Sequence, residues 1–124
     1  MNWTPFLILA AVVVVVLMLK KIGQISAKDA LEHLKNGALV IDVRSRGEFS
    51  SGHLARAINI PADEIETALP KRVQDKSRVL LLHCLSGTRS GLAKIKLKSL
   101  GYSKVFNLGS LARARKIVGE ADGN

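Results

Sequence analysis

The sequence predicts an α/β domain, three layers deep with a mainly parallel central sheet flanked by helices, preceded by one transmembrane helix. Three observations carry that expectation. From residue 26 onward, short continuous apolar runs alternate with segments of helical character, the pattern of strands buried on both faces and joined by helical crossovers. The most apolar of these runs, Arg78 to His83, passes directly into a polar loop containing glycine. Residues 3–19 carry no charged side chain, and all nineteen basic and ten acidic residues follow Leu19.

The first element is WTPFLILAAVVVVVLML, apolar apart from Thr4 and followed at once by Lys20 and Lys21. A helix rises about 1.5 Å per residue and needs roughly 17–25 residues to cross the hydrocarbon core, so residues 3–19 sit at the short end. A cleavable signal would place positive charge before the run and small residues after it, and neither is present. The expected division is an anchor at residues 1–21 and a soluble domain at residues 22–124. Lys20, Lys21, Lys28 and Lys35 follow the run closely, which predicts a single-pass chain with its domain in the cytoplasm. The net charge of +9 suits an anionic inner leaflet, and equally an ordinary solvated surface.

Ser26 and Asp29 mark a capped helix start, with ALEHL running on to Lys35 and Gly37 closing it. ALVIDV, Ala38 to Val43, is the first strand, and a short polar segment follows. AINI, Ala57 to Ile60, is a brief strand stopped by Pro61, and ADEIETAL a short helix with acidic residues in its first turn. Arg78 to His83 is the third strand. Ser90 to Leu100 reads as a helix ended by Gly101, and Lys104 to Leu108 as the fourth strand.

In folds of this kind ligands gather beyond the carboxyl ends of the strands, and Cys84 stands at that place. It opens the loop CLSGTRS, whose Gly87 permits a tight turn with backbone N–H groups converging as an anion-binding nest. The helix beginning near Ser90 adds its positive end, and Arg89 a permanent charge, so the loop favours a thiolate over a thiol. A lone cysteine at a strand end is more often simple packing. Here Ser86, Gly87, Thr88, Arg89 and Ser90 follow it, residues costly to bury and suited to cradling an anion, and the nucleophile reading prevails. One cysteine excludes an internal disulfide, and no cysteine or histidine pair has metal-ligand spacing. Few aromatics and no basic run interleaved with them speak against nucleic acid.

Asp42, Arg44, Glu48, Phe49, Gly52, His53, Leu54, Ala57, Asn59, Ile60 and Pro61 follow the pattern DxRxxxEFxxGHLxxAxNIP, and Cys84, Gly87, Arg89 and Ser90 the pattern CxxGxRS. Ala93, Leu97, Gly101, Tyr102, Val105, Asn107 and Leu108 continue the likeness, so that nearly everything from Ile25 to Gly109 resembles a rhodanese-like domain. The resemblance implies that Cys84 attacks the outer sulfur of a donor such as thiosulfate or a protein persulfide. It then holds that sulfur as a persulfide and passes it to cyanide or a thiol, with no metal or organic cofactor. Leu85, Ser86, Gly87, Thr88 and Arg89 would bind the donor. Asp42, Arg44, Glu48 and Ser90 would support the site, Arg44 and Glu48 by pairing and orienting the loop. His53 is expected to be a hydrogen-bonded turn residue, and neither His33 nor His83 is assigned a role.

Three positions depart from the family pattern: Arg56 where glycine is frequent, Leu85 where a polar or basic residue is common, and Gly109-Ser110 without the tryptophan that often follows. An apolar Leu85 offers no extra charge to thiosulfate and favours a bulkier or protein-bound donor. Two other functions compete. Cysteine phosphatases and arsenate reductases share HCxxGxxRS, but they place five residues between Cys and Arg, whereas Leu85, Ser86, Gly87 and Thr88 alone intervene here. A catalytically idle adaptor domain at the membrane would not need Cys84 and Arg89 together.

Overall fold

The computed structural model describes residues 2–123, with side chains described at all of these except 19–22. Eleven elements follow one another: α1 (Thr4–Ile22), α2 (Ala27–Lys35), β1 (Leu39–Asp42), α3 (Arg46–Ser50), β2 (Ile58–Asn59), a 3-10 turn (Ala62–Glu64), α4 (Ile65–Arg72), β3 (Leu80–His83), α5 (Thr88–Ser99), β4 (Val105–Gly109) and α6 (Leu111–Ala121).

The four strands form one parallel sheet in the order β2-β1-β3-β4. Because successive residues of a strand face opposite sides, each central strand feeds two cores. Ile41, Leu80, Leu82, Val105 and Cys84 join Ile65, Leu69, Ala93 and Leu97 on the side of α4 and α5. Val40, Leu81 and Leu108 join Ala30, Leu34, Ala114, Ile117 and Val118 on the side of α2 and α6. Leu80, Leu81 and Leu82 have no exposed surface, each burial contributing about 1.5–3 kcal/mol. The alternation of layers is the one expected, and β3, the most apolar strand, lies inside the sheet.

Two helices were not expected. α3 spans five residues and begins with a capping box, the Ser45 hydroxyl accepting from the Glu48 N–H while Glu48 accepts from the Ser45 N–H. α6 starts at the Ser110 cap and buries Ala114, Ile117 and Val118, an apolar stripe that the interleaved Arg113, Arg115 and Lys116 disguise.

The expected N-terminal helix is present as α1, and its large apolar side chains from Phe6 to Met18 are exposed. Among the described residues, however, no helix is long and apolar enough to cross a membrane. The 19 residues of α1 rise about 28 Å against a hydrocarbon core of about 30 Å. Lys20 and Lys21 lie outside the described side chains.

Candidate active site

β3 ends at His83, and the chain turns at once into the loop that starts α5. Gly87 makes that turn with φ +97°, a conformation that side-chain-bearing residues rarely adopt. A Cβ there would also stand 3.3 Å from the Gly109 backbone and 3.2 Å from Gln24 Nε2, so a side chain would in addition press on its neighbours. The turn brings the Gly87 N–H to 3.0 Å from Cys84 Sγ, with the Ser90 hydroxyl at 3.5 Å. Burial pushes the Cys84 thiol up, but the Ser90 hydroxyl and the amides of Ser90, Gly87 and Ser86 together outweigh it, and the thiol lies below its ordinary value. The chemistry this favours is nucleophilic attack by a sulfur anion on an electrophile small enough to enter the cradle.

Asn107 holds the cradle from β4. Its Oδ1 accepts from Ser90 Oγ at 2.7 Å and from the Gly109 N–H at 3.0 Å, while its Nδ2 donates to the Gly87 carbonyl at 3.0 Å. The sequence offered a signal for this: an amide within the otherwise apolar KVFNL strand must find partners when both faces of the sheet are covered.

The two expected supports pair differently from the expectation. Arg44 does not meet Glu48. Its Nε donates to both carboxylate oxygens of Asp42 at 3.0 Å, and its Nη2 reaches Asp42 Oδ2 at 2.8 Å and the Gly52 carbonyl at 2.7 Å. Glu48 instead receives both terminal nitrogens of Arg89, at 2.7 and 3.0 Å. Asp42 ends β1 and Arg44 stands two residues on in the loop that leaves it, so the two close on each other, whereas α3 carries Glu48 toward the N-terminus of α5. Arg89 thus acts as a clamp between the two motifs in this state, and its hydrogen bonds, with that of the Ser45 N–H, hold the Glu48 carboxyl down to about 2. Beside it an open cleft of about 320 Å³ is lined by Val43, Arg46, Pro61, Glu64 and Arg89, but not by Cys84.

His83, unassigned from sequence, is fully buried between the two motifs. Its Nδ1 lies 3.4 Å from the Cys84 carbonyl, and its Nε2, 3.8 Å from Asp42 Oδ2, has no hydrogen-bond partner. Burial keeps the ring below its ordinary pKa. His53 takes the turn position expected of it, with Nδ1 2.7 Å from the Phe49 carbonyl. Leu85 is 56% exposed and Thr88 is also exposed, and Ser86 bridges to Ser110.

A glycine-turned loop with a cysteine sulfur held by main-chain N–H groups, at the carboxyl end of the central strand of a parallel sheet, defines a class. The family model for the rhodanese-like domain matches residues 26–112, and the chain belongs to that family. It is similar to thiosulfate sulfurtransferase PspE of Escherichia coli (strain K12), 38% identical over 71 residues that cover 57% of this chain and 68% of that protein. Among solved structures it resembles the human single-domain sulfurtransferase at 30% identity and a TM-score of 0.65, over 76% of this chain and 96% of that one. A rhodanese with anions from E. coli matches at 35% identity and a TM-score of 0.60, over 62% and 91% of the two chains. The chain is a transferase of the rhodanese type, like the thiosulfate sulfurtransferases it resembles.

Proposed function

We propose that the chain moves a sulfane sulfur from an anionic donor such as thiosulfate, through a persulfide on Cys84, to a thiophilic acceptor at a membrane surface. The Cys84 thiolate attacks the outer sulfur of the donor, a new S–S bond forms, the donor's own S–S bond breaks, and sulfite leaves with that electron pair. Cyanide or a thiolate then attacks the outer persulfide sulfur, and Cys84 is released as thiolate. The carrying observation is the Gly87 N–H at 3.0 Å from Cys84 Sγ, with Ser90 beside it. Donors fixed around the sulfur before reaction need no reorganisation when negative charge shifts between sulfurs. Because Cys84 has no exposed surface, the donor must displace part of what covers it, and the Arg89–Glu48 pair at the start of α5 is the part proposed to move. Release from Glu48 would free Arg89 to meet the anion.

Thiosulfate given to the full chain should add the mass of one sulfur at Cys84, and Cys84→Ala should abolish thiocyanate formation from cyanide while leaving the melt close to that of the parent. Undiminished turnover in Cys84→Ala would overturn the assignment.

The membrane part of the proposal places residues 3–19 in the bilayer and the domain on the cytoplasmic side. It is supported by the exposed apolar surface of α1 and by the lysines that follow it in sequence. Carbonate washing should leave the chain with the membrane, and an impermeant thiol reagent applied from outside should not label Cys84. Extraction by carbonate would refute the anchor, and labelling from outside would reverse the orientation.

A further inference from the structure

Outside α1, the exposed large apolar side chains among the described residues are Leu85, Leu92 and Ile95, at 56%, 58% and 64% exposure. All three lie on the active loop or on the helix that leaves it. Scattered exposed leucines need no explanation, but confinement to one segment does. On α5 the buried positions are Ser90, Ala93 and Leu97. Leu92 and Ile95 are three residues apart on the outward side, and Lys98 follows Ile95 at the same spacing.

The path of the chain fixes where this face stands relative to α1. α1 ends at Ile22, and Gln24 already forms a β-bridge with Asn107, with the Ile25 N–H donating to the Asn107 carbonyl at 2.9 Å. Gly23 alone lies between them, and one residue spans at most about 3.6 Å. Lys94 Nζ lies 3.4 Å from the Gly23 carbonyl, so α5 itself abuts the junction. An open cleft of about 410 Å³ there is lined by Val16, Gly23, Thr88, Leu92 and Ile95 among others. The short tether keeps the domain at the foot of α1, and the Lys94 contact and the shared cleft set α5 beside it.

We propose that the outward face of α5, Leu92 and Ile95 followed by Lys98, lies in the headgroup region of an anionic bilayer and holds the mouth of the Cys84 loop at the lipid surface. This rests on the anchored reading of α1 given above. Lipid fits the face better than a soluble protein would: aliphatic side chains enter the acyl boundary while lysine stems lie along it and carry their ammonium groups to phosphates. The net charge of +9, with Lys20 and Lys21 next to the apolar run in sequence, favours anionic headgroups over neutral ones. Donor and acceptor would then reach Cys84 along the membrane, past the exposed Leu85.

The test uses the full chain in phosphatidylglycerol–phosphatidylcholine vesicles. An environment-sensitive fluorophore is placed on Ile95→Cys, on Leu92→Cys as a second position, or on Glu32→Cys of α2 as the reference, each in a Cys84→Ser background. Nitroxide lipids labelled near the headgroup should quench positions 95 and 92 several-fold more than position 32. Lys98→Glu, or vesicles lacking phosphatidylglycerol, should reduce the difference. Equal quenching at all positions in vesicle-bound, carbonate-resistant protein would overturn the proposal and leave the anchor standing. Shielding of position 95 from aqueous iodide without nitroxide quenching would overturn it in favour of a protein cover. A chain that fails to float with vesicles would overturn proposal and anchor together, while sulfur loading of Cys84 in the parent chain tests the transferase reading separately.

Discussion

Two buried polar networks meet at the end of β3, and they differ in what they enclose. On one side Gly87, Ser90 and Asn107 close around Cys84 Sγ. On the other, Asp42, Arg44 and His83 close around one another and the backbone, with Asn59 Nδ2 donating to the Asp42 and Arg44 carbonyls at 2.9 Å. The first network bonds the sulfur directly through Gly87 and Ser90; among the described residues the second makes no hydrogen bond to it. Residues of equal prominence in a sequence motif therefore divide into those that tune a reaction and those that hold the loop in place.

The largest effect that would sharpen this division is on stability. Asp42 is fully buried and Arg44 nearly so, and removing one partner leaves the other as an uncompensated buried charge. Asp42→Ala should therefore lose about 3–5 kcal/mol in denaturant unfolding. Sulfur transfer per folded molecule should survive; if it vanishes in material that melts normally, Asp42 belongs to the reacting network.

Ser90→Ala should act in the opposite sense. Removing its hydroxyl takes away a hydrogen bond to sulfur, while Asn107 Oδ1 keeps the Gly109 N–H, so the loss of stability should be about 1 kcal/mol. The Cys84 thiol should rise, and alkylation near neutral pH should slow several-fold. A variant with an unchanged pH profile of alkylation would show that the main-chain amides suffice.

The smallest effects are those of pH. The His83 ring is held below its ordinary 6.5, so on acidification the unfolded chain takes up a proton before the native one does. Stability should fall as pH drops through about 6.5 and stop falling once the native ring protonates, and His83→Gln should flatten that part of the profile. Glu48 gives a separate window: its stabilising contribution is full above about 4.5 and lost as pH falls through about 2. Carboxyl NMR at Glu48 should show that low midpoint, and Arg89→Ala should return it toward 4.5.

The fold was largely legible because apolar runs such as Arg78–His83 have few other uses in a short domain. The helices that escaped notice did so for local reasons: α3 is too short to show a period, although Ser45 and Glu48 carry its capping signature, and the stripe of α6 is crowded by basic residues. Within the site, Cys84, Gly87 and Ser90 could be read because loop chemistry is set by residues close in sequence. The ion pairs could not, since Glu48 and Arg89 are forty-one positions apart and meet only after the chain between them has folded. The strand amide of Asn107 and the ring of His83 were visible as polar residues in apolar runs, but their partners were not.

A sulfur without exposed surface has consequences outside transfer itself. An activated thiolate left open to solvent would be an early target for peroxide, climbing from sulfenic to irreversible sulfinic acid. If, as proposed, an anionic donor draws Arg89 away from Glu48, peroxide, being uncharged, lacks that means of entry. Access, rather than intrinsic reactivity, then separates productive encounters from damage. Oxidation of the resting chain should be slow for a thiol of this acidity, and weakening the clamp should make it faster.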